Sequence, residues 1–169
     1  MPPATRTPSP APTGTALRPF SASLPMALLR AREAAMRRFR PHLAQFDLTE
    51  QQWRVLRALA STGGGLEVGG LAEATNLLAP SLSRILTNLD GRGLTTRTTV
   101  PHDQRRARIA LTDDGRELVD RVAPGSEDRY REIEERFGPE RLDALLCELG
   151  ALTRLLSESE AHPPESDRA

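Results

Sequence analysis

The sequence predicts a mainly α-helical protein with one short β-hairpin set between its helices, and three observations predict it. Apolar residues recur at three- and four-residue steps through much of residues 21–158. A single β-branched run, Leu94-Thr95-Thr96-Arg97-Thr98-Thr99-Val100, precedes a Pro101-His102-Asp103-Gln104 turn, and Arg106 to Leu111 then alternates charged and apolar residues. Capping residues and proline stand where helices should begin, and glycine where they should stop.

Taken in order, residues 1–20 are rich in Pro, Ser, Thr and Ala without apolar periodicity, and read as a disordered arm. Arg6 and Arg18 leave open an arm that grips a polyanion. From Ser21 to Phe46, Leu24, Leu28, Ala31, Ala35, Phe39 and Leu43 form one face of a long helix, with Pro41 expected to bend or shorten its last turn. Thr49 and Gln52 form a capping box for a second helix, whose buried face is Trp53, Leu56 and Leu59. Gly63-Gly64-Gly65 ends it. A short helical segment, Leu71–Thr75, follows, weakened by Gly69 and Gly70.

Pro80 suits the first turn of the next helix, which buries Leu82, Ile85, Leu86 and Leu89 and is stopped by Gly91 and Gly93. Its other side carries Ser81, Ser83, Arg84, Thr87 and Asn88. After the hairpin, Thr112 caps a helix with Asp113 and Asp114 in its first turn, where anions complement the helix dipole. Pro124-Gly125 should kink or interrupt that helix before Phe137. A last helix, about Pro139 to Ser157, carries a leucine stripe, and residues 159–169 read as a flexible tail.

The chain has 169 residues, 23 basic and 23 acidic side chains, and no net charge. Every basic residue is Arg, a bias that suits bidentate contacts to phosphate, carboxylate and guanine, although a GC-rich genome would produce it too. The zero is a cancellation. Residues 79–108 carry six Arg against Asp90 and Asp103, whereas residues 109–169 carry eight Arg against sixteen acids. One cysteine excludes an internal disulfide framework and a multi-Cys metal site, and points to a reducing cytoplasm. No apolar run approaches the roughly 18 residues of a membrane span. Neither a nucleophilic triad nor a phosphate-binding glycine loop has supporting context, so no enzyme, cofactor or metal is expected.

A helix, a turn, a polar-faced helix and then a basic hairpin is the order of a winged helix-turn-helix. The helix that enters a major groove needs one apolar side and short hydrogen-bonding side chains on the other, as Ser81, Ser83, Arg84, Thr87 and Asn88 provide. Arg97 on the first strand and Arg105, Arg106 and Arg108 toward the tip suit phosphates or a narrow minor groove. Two half-sites require a dimer, and the outer helices, about 21–46 and 113–158, supply apolar surface for it around a DNA-binding core of about 48–112.

Three stretches carry a resemblance to the multiple-antibiotic-resistance regulator (MarR) family of dimeric bacterial transcription factors: Leu48-Thr49-Glu50-Gln51-Gln52-Trp53-Arg54-Val55-Leu56, Pro80-Ser81-Leu82-Ser83-Arg84-Ile85-Leu86, and Asp103-Gln104-Arg105-Arg106 ending in Leu111-Thr112. The resemblance implies that Arg105 enters the minor groove and that Asp103 holds the wing. Ala27-Leu28-Leu29-Arg30-Ala31-Arg32-Glu33-Ala34 with Phe39-Arg40-Pro41 narrows it to the branch that represses homoprotocatechuate degradation, with aromatic acids such as 4-hydroxyphenylacetate as effectors. Gly69-Gly70 and Ala79, where a basic residue would have supported phosphate binding, depart from that pattern.

An aromatic carboxylate needs an apolar slot and a cation. Arg32, bordering the first helix's apolar stripe, is the expected cation. Trp53 is the expected flat wall, with Met36, His42 and Ser23 nearby. The plainer roles are a snorkelling Arg32, a core Trp53 and an exposed His42. Cys147, beside the last helix's apolar stripe and without basic neighbours, reads as a buried, inert thiol; a switch by its oxidation is the alternative.

Overall fold

The computed structural model describes residues 19–100 and 103–161. The chain divides between Met36 and Arg37 into two compact units. In the first, a 3-10 turn, Phe20–Ala22, leads into α1, Leu24–Ala44, which continues into the second unit. The expected arm lies almost wholly outside the described residues. Of the predicted stripe, Phe39 and Leu43 are buried, whereas Leu24 and Leu28 are exposed, as is Leu29 beside them. α1 runs through Pro41 and stops at Ala44, two residues short of the Phe46 read from the sequence.

The second unit holds α2 (Glu50–Ala60), β1 (Leu66–Glu67), α3 (Val68–Thr75), α4 (Ala79–Gly91), β2 (Thr95–Val100), β3 (Asp103–Leu111), α5 (Asp113–Phe137) and α6 (Pro139–Ala161). The capping box forms as read: Thr49 Oγ1 accepts the Gln52 N–H at 3.2 Å, and the Thr49 N–H donates to Gln52 Oε1 at 2.8 Å. Leu43, Val55, Leu56, Leu71, Leu82, Leu89 and Val122 are fully buried and form the centre of the core. α3 absorbs both Gly69 and Gly70 and stops at Asn76, whose left-handed backbone (φ 49°) accepts the turn into α4.

The three strands form an antiparallel sheet in the order β1-β3-β2, with Leu66 opposite Ile109 and Thr95 opposite Leu111. β3 begins at Asp103, within the stretch read from the sequence as the Pro101–Gln104 turn. Gly65 (φ +81°) lets the chain after α2 press against β3; a Cβ there would strike the Ile109 carbonyl and lie 3.0 Å from Ala110 Cβ.

Thr112 caps α5 by accepting the Gly115 N–H at 3.0 Å. The expected interruption at Pro124-Gly125 does not occur, since α5 is continuous from Asp113 to Phe137. Proline there removes one N–H donor from the ladder, while Gly125 admits the imidazole of His42, whose Nε2 lies 2.9 Å from Val122 O. A carbonyl only accepts, so Nε2 carries the proton and donates. α6 extends past the predicted Ser157, because no proline or glycine intervenes before Ala161. Among its described residues none is buried, and Leu145, Leu146, Leu155 and Leu156 are exposed.

Candidate nucleic-acid interface and effector site

The polar side of α4 follows from its sequence. Leu82, Ile85 and Leu89 turn inward, so Ser83, Arg84, Thr87 and Asn88 are exposed and Ser81 is half-buried. Helical spacing then divides the polar residues between two flanks. Ser83 and Thr87, with Asp90 a turn further on, border a cavity of about 360 Å³ whose opposite wall is Thr95, Thr96 and Arg97 at the base of the hairpin. Thr87 Oγ1 donates to the Ser83 carbonyl at 3.0 Å, leaving its lone pairs facing outward. Ser81, Arg84 and Asn88 share the other flank, toward α2, where Gln52 Nε2 donates to Asn88 Oδ1 at 2.7 Å.

The hairpin stands beside this helix, and Arg97 is exposed on β2. Arg108 is placed differently from its sequence-based role. Its Nε donates to Gly64 O at 2.6 Å and its Nη2 to Gly65 O at 3.0 Å, so it ties the wing to the loop after α2 and does not reach from the tip. The charged guanidinium satisfies two carbonyls of a glycine loop that has no side chains of its own to do so. The side chains of Asp103, Arg105 and Arg106 lie outside the described residues.

The five expected effector residues do not share one compact unit. Ser23, Arg32 and Met36 belong to the first, where Ser23 and Met36 are half-buried and Arg32 is exposed and pairs with Glu33 at 2.6 Å. Trp53 and His42 belong to the second, and both are buried. The exposed reading of His42 is thus corrected: its ring meets Phe46 edge-on at 5.3 Å and its Nε2 is engaged by Val122 O. Cys147 is corrected in the opposite sense. It is exposed on α6.

Sequence reasoning missed a constellation that α1, α2 and α5 bring together. Arg57 Nη1 donates to the Tyr130 hydroxyl at 2.7 Å, and its guanidinium carbon lies 5.5 Å from the centroid of that ring. Phe39 packs on the same ring at 4.9 Å with a 58° tilt. One helical turn before Arg57 is the buried Trp53, and one turn before Tyr130 is Ser126. Ser126 Oγ is fully buried and has no hydrogen-bond partner among the described residues. A cation hydrogen-bonded to a phenol beside an aromatic ring is the chemistry with which a planar aromatic carboxylate is held. No local signal reveals that Arg57 and Tyr130, 73 residues apart, meet.

Among the described residues no group of His, Cys, Asp and Glu could hold a metal ion, and no helix is long and apolar enough to cross a membrane.

Comparison with known proteins gives the arrangement a context. A sequence model described as MarR family matches residues 46–106. The HTH-type transcriptional regulator FarR of Neisseria gonorrhoeae is 41% identical over 139 residues, covering 80% of this chain and 94% of the relative. The homoprotocatechuate degradative operon repressor of Escherichia coli is 43% identical over 123 residues, covering 73% and 82%. Among solved structures, NadR in complex with 4-hydroxyphenylacetate is 40% identical with a TM-score of 0.71, covering 80% of this chain and 96% of that one. The transcriptional repressor CouR bound to a 23-mer DNA duplex is 32% identical with a TM-score of 0.72, covering 79% and 94%.

Proposed function

The chain belongs to the MarR family, and from that premise we propose that it is a homodimeric repressor of an aromatic-acid catabolic operon, released from its operator when an aromatic carboxylate binds. The observation that carries the DNA-binding part is the pairing of α4 with the wing. A helix with its apolar side buried and hydroxyl, amide and guanidinium groups outward stands beside a hairpin whose basic residues include the exposed Arg97. We assign direct contacts to Ser81, Ser83, Arg84, Thr87, Asn88 and Arg97 and, from the sequence pattern, to Arg105 and Arg106, with Asp103 supporting the wing. The exposed leucines of α1 and α6 supply the dimer surface, which sets two recognition helices about one DNA turn apart.

For the effector, the Arg57–Tyr130 pair is the stronger cation site than Arg32, because it is joined to the aromatic ring of Phe39. A carboxylate bridging Arg57 and Tyr130 would draw on α2 and α5 together, and therefore on the orientation of the reading head with respect to the helix that follows the wing. Ligand then shifts the dimer toward a state whose recognition helices no longer match the operator. The relatives that are repressors, and the structure that holds 4-hydroxyphenylacetate, support the same class of effector.

The direct test is release of a fluorescent duplex from the chain's own upstream region, titrated with phenylacetates and benzoates. Arg57→Gln is expected to abolish release while leaving DNA affinity intact, and Arg32→Gln to leave both. An unaltered response in Arg57→Gln would move the effector site elsewhere.

A further inference from the structure

The hydrogen-bond chain Thr49–Gln52–Asn88 fixes which way the Asn88 amide faces. Its direction can be read without ambiguity, because one end is a backbone N–H, which only donates. The Thr49 N–H points at Gln52 Oε1 at 2.8 Å, so that atom is the oxygen and the other terminal atom of Gln52 is Nε2. Nε2 in turn donates to Asn88 at 2.7 Å, so the atom of Asn88 facing α2 is the oxygen. The amide nitrogen of Asn88 is left on the opposite side. Asn88 is exposed, and Nδ2 meets no acceptor among the described residues.

From this we infer that Asn88 is a specificity-determining residue that reads DNA as a donor alone, with Gln52 as the residue that positions it. A free asparagine offers one acceptor and one donor, and so can pair with adenine through N6 and N7. Here the oxygen is turned toward α2, where it accepts from Gln52 Nε2, and so away from the side that would meet a base. What remains is an NH2 group, which suits the O6 and N7 of guanine or the O4 of thymine, and which meets only another donor at the N4 amino group of cytosine. Asn88 shares its flank of α4 with Ser81 and Arg84, two further side chains able to donate, so this edge of the recognition helix favours base edges rich in acceptors. The inference rests on the DNA-binding reading of α4 and deepens it by naming the base chemistry.

The capping box supplies an isosteric test. Gln52→Glu keeps an oxygen for the Thr49 N–H, and glutamate is itself a favoured third residue of the box, so α2 retains its cap. The second carboxylate oxygen of the substituted side chain cannot donate. Asn88 must then turn its nitrogen toward α2 and present Oδ1 outward, as an acceptor suited to the amino groups of cytosine and adenine.

The experiment is selection of bound sites from a random-sequence duplex library by the full-length wild type, by Gln52→Glu and by Asn88→Ala. Thermal melts should confirm that all three fold. In the wild type one position of each half-site is expected to favour guanine or thymine over cytosine by about fivefold, the scale of one neutral hydrogen bond. Gln52→Glu should invert that preference toward cytosine or adenine at the same position, and Asn88→Ala should flatten it. Identical base preferences in the wild type and Gln52→Glu, or in the wild type and Asn88→Ala, would overturn the inference. Enrichment of no duplex by the wild type would overturn the DNA-binding reading itself.

Discussion

Replacing Gly125 by alanine should destabilise this protein, although the same change in most helix interiors does the reverse. Gly125 lies in α5, directly after Pro124, and alanine is the better helix former by about 1 kcal/mol. Against that gain, a Cβ at Gly125 would stand 2.6 Å from His42 Nε2 and 2.7 Å from Nδ1, inside van der Waals contact. The ring has little room to retreat, since Nε2 donates to Val122 O at 2.9 Å and the other edge meets Phe46. Overpacking costs roughly 1–3 kcal/mol where neighbours must shift, and displacing the imidazole instead forfeits a buried hydrogen bond of about 1 kcal/mol. After the propensity gain is subtracted from the middle of that range, a net loss of about 1 kcal/mol, and up to about 2 kcal/mol, is expected. Urea unfolding followed by far-ultraviolet circular dichroism would measure it, at one fixed protein concentration because dimerisation adds to apparent stability. Gly69→Ala and Gly70→Ala are the controls. A Cβ at either meets open space, so both should be stabilising, by up to about 1 kcal/mol. In a His42→Ala background the penalty at Gly125 should vanish, a coupling that a double-mutant cycle isolates. A Gly125→Ala protein as stable as the wild type, or an undiminished penalty in the His42→Ala background, would refute the reasoning.

Arg108→Ala should weaken DNA binding several-fold by loosening the wing from the Gly64–Gly65 loop, without changing the slope of log affinity against log salt. Arg105→Ala, as a phosphate or minor-groove contact, should instead lower that slope by about 0.9; equal slopes for the two variants would merge their roles. Leu145→Glu with Leu156→Glu, two exposed leucines on one face of α6, should convert the dimer to monomer in sedimentation equilibrium. A dimer that persisted would place the interface elsewhere.

Much of the fold was legible because its signals are local. The Thr49–Gln52 box, the Thr112 cap and the apolar spacing of α4 depend on residues within a turn or two of each other, and each stands where the sequence placed it. The basic hairpin was readable for the same reason. Pro124 does not interrupt α5, although its local rule is a lost N–H and a steric clash, and at that point the helix meets His42, some eighty positions away in the chain. Cys147 misled in the converse way, since its place beside a leucine stripe suggested burial and the thiol is exposed.

The same division runs through the function. By itself the sequence determined that this is a winged helix-turn-helix chain with a polar recognition helix, because groove-reading chemistry is written on one helix face and one hairpin. The identity of its polar contacts waited on tertiary structure. Arg108 became a clamp, Asn88 acquired a direction from Gln52, and Arg57 came to Tyr130 across 73 residues of chain. A hydrogen bond depends on the position and orientation of both partners, and only the folded backbone sets those for residues so far apart in sequence.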